Sequence, residues 1–171
     1  MNSAGNGTPR VPAYVALGSN LDDPARQVRS ALAALGRLPD TDLVARSSLY
    51  RSLPVGPPNQ PDYINSVAAL ETALTPEEML EHLQSIERRH GRTREGERWG
   101  PRTLDLDLLL HGHSRRDDPH LVLPHPGLHE RAFVLYPLFE IAPDLQVPGL
   151  GTLRELIGRV PARGVRVVAP A

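Results

Sequence analysis

An α+β fold follows from three observations: apolar residues recur with period 2 in some segments, at helical spacing in others, and the two kinds alternate in the order β-α-β-β-α-β. That order predicts an antiparallel sheet with its helices on one face, the ferredoxin-like arrangement, with an extra strand and helices toward the C-terminus. Ala13–Leu17 reads as the first strand, ending in the turn Gly18-Ser19-Asn20. Pro24 opens a helix with Val28, Ala31, Leu32 and Leu35 on one side and Gly36 at its end. Asp42–Leu53 is a strand, Pro54 to Pro61 a proline-rich loop, and Tyr63–Leu74 another strand. Thr75 caps and Pro76 starts a second helix, whose buried stripe is Met79, Leu80, Leu83 and Ile86 and whose stop is Gly91. After an arginine-rich loop, Leu104 to Leu110 form a strand. Arg115–His120 is polar, Leu121–Leu123 a strand fragment, and Arg131–Glu140 and Leu153–Arg159 are helical. The predicted organisation is a disordered tail over residues 1–12, a single domain over 13–160 and a C-terminal extension over 161–171.

Composition removes several chemistries. The 171 residues suffice to bury one core, and a net charge of −1 exerts no general pull on nucleic acid or anionic membrane. There is no cysteine, which excludes disulfides, thiolate nucleophiles and cysteine-ligated zinc. All 19 basic residues are arginine, so Schiff-base chemistry and the lysine of a P-loop are excluded as well. Any grip on phosphate must come from arginine, histidine and backbone N–H groups. No apolar run nears the roughly 20 residues of a membrane span, and Met1–Pro12 lacks the apolar centre of a signal peptide. A cytoplasmic monomer acting on small molecules, without nucleic acid or membrane, is the expectation.

The strand at Leu104 carries the most chemistry. Leucines at 104, 106, 108 and 110 alternate with Thr103, Asp105, Asp107 and Leu109, so both aspartates point the same way. Carboxylates two residues apart lie roughly 6.5 Å apart along a strand, and two of them can share a pair of divalent cations about 3.5–4 Å apart. Aspartate is a poor strand former, and a solvated sheet face is the competing explanation. From Glu87 to Arg102 the chain holds six arginines against three glutamates, a local excess of three positive charges. A solvated basic loop is again the alternative. Carboxylates for hard cations beside guanidinium forks for phosphate oxygens nevertheless point jointly to a nucleoside triphosphate.

Smaller signals surround this core. Trp99, the single tryptophan, sits in the arginine loop among Gly91, Gly96 and Gly100, either as a cap over the sheet edge or as a lid that closes on ligand. His111-Gly112-His113 reads as a turn rather than as zinc ligands, since spacing supplies no third partner. His125, held between Pro124 and Pro126, can donate to a phosphate or be a plain loop histidine. Tyr63 and Asn65 share a strand face and can hold a flat heterocycle, though both are ordinary strand content.

These residues together closely resemble the 6-hydroxymethyl-7,8-dihydropterin pyrophosphokinases of folate biosynthesis. The resemblance runs from Ala13 to about Leu145 through Ala16-Leu17-Gly18-Ser19-Asn20-Leu21, Ser47 to Arg51, Gly56-Pro57, Asn59 to Tyr63, Glu87 with Gly91-Arg92, Arg98 through Asp107, Pro124-His125 and Pro137 to Pro143. It implies transfer of pyrophosphate from ATP to the pterin's hydroxymethyl oxygen, releasing AMP, with two Mg²⁺ held by Asp105 and Asp107. By the same resemblance, Arg92 and Arg102 are catalytic residues that approach the phosphates with Trp99 from the loop, and His125 and Arg131 grip them from the far side. Gln84 and Glu87 face the nucleotide, and Leu108 lies near the adenine. Ser52, Val55 and Asn65 hydrogen-bond the pterin, which Tyr63 and Phe133 sandwich. Three positions depart from the family pattern: Leu53 where many members have proline, and Glu95 and His120 at positions often basic. They bear on affinity, not on reaction class. An RNA-binding sheet and a two-metal nuclease or phosphatase are the rival classes; the scarcity of aromatics argues against the first, and the D-L-D strand would serve the second.

Overall fold

A computed structural model describes residues 8–54, 56–57, 59–91, 103–162 and 164–171. The elements are β1 (Val11–Ser19), α1 (Pro24–Leu35), β2 (Thr41–Arg46), β3 (Leu49–Ser52), β4 (Tyr63–Thr72), α2 (Pro76–Arg89), β5 (Asp105–His111), β6 (Arg116–Asp118), β7 (Leu121–Leu123), α3 (Ala132–Ile141), β8 (Gln146–Val147), β9 (Gly151–Thr152), α4 (Leu153–Ile157) and β10 (Arg166–Ala169). Helix α2 begins as predicted: Thr75 Oγ1 accepts from Glu78 N at 3.1 Å while Glu78 Oε1 accepts from Thr75 N at 2.8 Å, with Pro76 in the first turn. Among the described residues no helix is long and apolar enough to cross a membrane.

The principal sheet is antiparallel in the order β10-β3-β4-β1-β5, with β2 also paired to β4. On one face Ala13, Val15, Leu17, Ala68, Leu70, Leu106 and Leu108 meet Val28, Leu32 and Leu35 of α1 and Met79, Leu83 and Ile86 of α2. On the other, Ala16, Val67, Leu109 and Leu110 meet Val134, Leu135 and Leu138 of α3 and Leu153 and Leu156 of α4.

Several expectations need correction. Helices cover both faces, since α3 and α4 pack against the side opposite α1 and α2. The predicted strand Asp42–Leu53 is two strands that pair with successive halves of β4. Between them the buried Ser47 takes over the ladder: its Oγ accepts from Val67 N at 2.9 Å while its N–H donates to Val67 O at 2.9 Å. The predicted tail over residues 1–12 loses Val11 and Pro12 to β1, which pair with Thr72 and Glu71, and residues 1–7 lie outside the described residues. The polar segment Arg115–His120 contains β6, which pairs with β7. Leucine alternation in β5 stops at a bulge: Val15 pairs with Leu108 and Tyr14 with Leu110, so the skipped Leu109 and its neighbour Leu110 both join the second cluster. Within the extension over 161–171, β10 adds to β3.

Candidate active site

The register gathers the polar residues of the second face at one end of the sheet. Gly18 stands opposite Asn65 on β4 and opposite Asp105 on β5, and Ala16 stands opposite Val67 and Asp107. Cross-strand partners share a face, and Ala16 and Val67 identify it as the α3 side. Ser52 pairs with Tyr63 in the adjoining row. The face therefore presents the two carboxylates on one side of a floor of small residues and an amide, a hydroxyl and a phenol on the other. Two strand spacings separate Asp105 from Asn65, roughly 10 Å between backbones.

Each wall is held from behind. Ser52 Oγ donates to Asn65 Oδ1, and both residues are buried. The amide nitrogen thereby turns over Gly18, where an added Cβ would sit 3.0 Å from Asn65 Nδ2 and 3.6 Å from Tyr63 Cδ1. Asn20, 1% exposed, donates from Nδ2 to Gln60 Oε1 and to Pro61 O, both at 3.0 Å, and so ties the end of β1 to the loop before Tyr63. Glu140 near the end of α3 accepts from Tyr50 OH at 2.6 Å and from Ser48 N and Oγ, fastening α3 to the start of β3. Burial and the Glu140 carboxylate push the Tyr50 phenol well above its ordinary range.

On the carboxylate side, Glu87 is 6% exposed and its Oε2 accepts from Leu106 N at 2.8 Å, between the two aspartates. His125 N donates to Leu109 O at 2.9 Å, hanging the histidine on the same edge of β5. Gly127 N donates to His125 Nδ1 at 3.1 Å. An accepting Nδ1 leaves the proton on Nε2, and Nε2 lies 3.7 Å from Asp107 Oδ1. The Arg131 guanidinium lies 5.9 Å from the centroid of the Phe133 ring and against Gly127, where a Cβ would come within 2.4 Å of Arg131 Cζ. One short segment thus delivers the His125 Nε2–H toward Asp107 and holds the Arg131 guanidinium against Gly127 and Phe133.

The donor set fits magnesium. Among the described residues no group of three or more histidines, aspartates or glutamates could hold a metal by itself. Two aspartates alone, with Asp107 partly open at 44% side-chain exposure, match an ion that keeps several waters and binds through one or two carboxylates plus substrate phosphates.

The structure brings Ser52, Tyr63, Asn65, Asp105 and Asp107 to one face, and Phe133 stands in the first turn of α3, which packs on that face. Gln84 is half-buried on α2, one turn before Glu87. The Leu108 side chain is buried in the core shared with α1 and α2, so only its main chain can meet a nucleotide. Val55, Arg92, Trp99 and Arg102 lie outside the described residues, as does Glu95; Leu53 and His120 are exposed. His111 is a satisfied buried histidine whose Nε2 bonds Leu74 O at 2.8 Å. Gly18, Asn20 and Glu140 are structural supports of this face to which the motifs alone assigned no role; a glycine and an asparagine closing one strand were the available signal.

Comparison with known proteins bears on this geometry directly. The profile of the 7,8-dihydro-6-hydroxymethylpterin-pyrophosphokinase (HPPK) family matches residues 14–143, most of the chain. The chain belongs to this family. A 2-amino-4-hydroxy-6-hydroxymethyldihydropteridine pyrophosphokinase of Pseudomonas aeruginosa is 53% identical over 152 residues, covering 89% of this chain and 93% of that protein. One of the same description from Haemophilus influenzae is 50% identical over 147 residues, covering 86% and 91%. Among solved structures, wild-type Plasmodium falciparum HPPK-DHPS with pteroate superposes with a TM-score of 0.69 at 14% identity. That alignment covers 88% of this chain but 42% of the longer one, and at this identity it speaks for the fold alone. As a family member the chain is an ATP-dependent diphosphotransferase, a pyrophosphokinase of folate synthesis.

Proposed function

We propose that this pyrophosphokinase moves the terminal pyrophosphoryl group of ATP onto the hydroxymethyl oxygen of 6-hydroxymethyl-7,8-dihydropterin, with two Mg²⁺ held by Asp105 and Asp107. The observation that carries the reading is the single row Asn65, Gly18, Asp105. It sets an amide, which can hydrogen-bond a heterocycle, and a carboxylate, which can ligate Mg²⁺, on opposite sides of a glycine floor. In the reaction the hydroxymethyl oxygen bonds to the β-phosphorus while the bond from that phosphorus to the α,β-bridging oxygen breaks. The bridging oxygen leaves on AMP, and the hydroxyl proton is released to solvent.

Bound at the aspartates, the magnesium ions would neutralise the triphosphate and polarise its oxygens. The protein's own part is positioning and charge stabilisation. Ser52, Asn65 and Val55 hydrogen-bond the pterin, and Tyr63 and Phe133 stack on its two faces. His125 donates from Nε2 and Arg131 from its guanidinium to the phosphates; the placement of His125 Nε2 beside Asp107, and of Arg131 against Gly127 two residues after His125, supports this role. Arg92 and Arg102 act as catalytic cations from the preceding loop, Trp99 contributes to nucleotide binding, and Gln84 with the main chain of Leu108 borders the nucleotide. The ferredoxin-like frame is the scaffold we assign, supported by the order β3-β4-β1-β5 with α1 and α2 on one face. One domain running from β1 to β10, acting as a cytoplasmic monomer, completes the proposal.

Product identity tests the reaction class. With Mg²⁺, ATP and the hydroxymethyl dihydropterin, AMP and a pyrophosphorylated pterin form in equal amounts, read by anion-exchange chromatography. Formation of ADP, or of AMP without pterin, overturns the assignment.

A further inference from the structure

The buried stripe of α2 contains one residue that an apolar core does not call for. Met79, Leu83 and Ile86 are fully buried, and beside them Glu87 is 6% exposed. Burying a carboxylate costs free energy unless it is hydrogen-bonded, and a strand edge offers N–H groups with no partner in the sheet. Among the described residues, β5 is such an edge of the principal sheet, paired with β1 alone. The group Glu87 has reached is the N–H of Leu106, at 2.8 Å. That peptide unit joins Asp105 to Leu106, so fixing it fixes the backbone from which the Asp105 side chain leaves and, one residue on, that of Asp107. The Leu106 side chain is buried on the opposite face, so this short stretch is pinned by packing as well as by the bond. Farther along the same edge, Leu109 O is held by His125 N.

We propose that Glu87 is a positioning residue that sets the mutual geometry of Asp105 and Asp107 by anchoring the Leu106 amide between them. The proposal rests on the reading of those aspartates as metal ligands. It assigns Glu87 a task that does not require contact with the nucleotide. A carboxylate on a capped helix is a stiffer anchor than water, and its hydrogen bond is charge-assisted.

Two substitutions separate this role from others. Glu87→Gln keeps an acceptor in place, whereas Glu87→Leu keeps the bulk and removes it. Hydrogen exchange is measured by NMR on the protein without metal or nucleotide, and the Mg²⁺ dependence of the reaction is measured alongside. In E87L the Leu106 amide exchanges at least about tenfold faster while core amides of β1 such as Val15 are unchanged, as loss of one bond to a charged group requires. The Mg²⁺ concentration for half-maximal rate rises severalfold in the same variant, and E87Q restores both quantities most of the way. Unchanged Leu106 exchange in E87L overturns the proposal. So does a rise confined to the KM for ATP with Mg²⁺ dependence intact, which would mark a nucleotide contact. Should E87L not fold, E87Q and the parent still decide: a freely exchanging Leu106 amide in the parent contradicts the bond. Asp105→Asn and Asp107→Asn keep the two failures apart. If they leave Mg²⁺ dependence unchanged, the metal assignment fails; if they abolish it and E87L does not shift it, only the role of Glu87 fails.

Discussion

Asp105→Asn and Asp107→Asn each lower kcat by at least roughly 10²-fold, about 3 kcal/mol of barrier, with the larger loss in the double variant. Asparagine keeps the shape of aspartate and removes the charge that a hard cation requires. Both side chains lie on a partly open face beside the small residues Gly18 and Ala16 rather than in the core. The variants therefore fold, and their thermal midpoints stay within a few degrees of the parent, as expected for changes of about 0.5 kcal/mol. Added Mg²⁺ recovers little, since a neutral amide is a weak ligand at any concentration. Steady-state kinetics with a Mg²⁺ titration check this outcome, and a fully active double variant removes the metal assignment.

The second large effect falls on the other side of the glycine floor. Asn65→Ala deletes the amide that Ser52 orients and leaves the buried Ser52 hydroxyl without its acceptor. The loss of kcat/KM for the pterin is about 10- to 10²-fold, the range for one or two buried hydrogen bonds. Binding of the ATP–Mg²⁺ complex is unchanged, because Asn65 stands two strands away from Asp105. Gly18→Ala acts in the same direction and more weakly: its Cβ arrives 3.0 Å from Asn65 Nδ2, and the amide must give way. Fluorescence titration with each substrate separates the two effects. Equal losses for pterin and nucleotide in N65A would contradict the division of the face.

Much of this face was legible because its signals are periodic. Alternation through Leu104, Leu106 and Leu108 places Asp105 and Asp107 together without any knowledge of the fold, and Thr75, Pro76 and Glu78 announce the start of α2 by capping chemistry. The features that escaped have no period. A bulge at Leu109 adds one residue to one strand, which composition does not mark, and Ser47 breaks a strand only because its hydroxyl finds Val67 N. Helix α3 is apolar almost all round, so its sequence does not say which sheet face it will cover. That ambiguity hid the closing of the second face. Glu87 shows the same limit at a single residue: the family resemblance turns this carboxylate toward the nucleotide, and only the packing reveals that one of its oxygens is committed to the Leu106 amide.

On the proposed reading, the carboxylates and the amide on one sheet face form a single two-substrate site. Paramagnetic relaxation tests it most directly, with Mn²⁺ in place of Mg²⁺, a non-hydrolysable ATP analogue, and NMR detection of the pterin's hydroxymethyl protons. Strong broadening of those protons in the parent protein, lost in the Asp105→Asn, Asp107→Asn double variant, is the predicted result. Bound pterin whose hydroxymethyl protons are unaffected by bound Mn²⁺ would contradict the account.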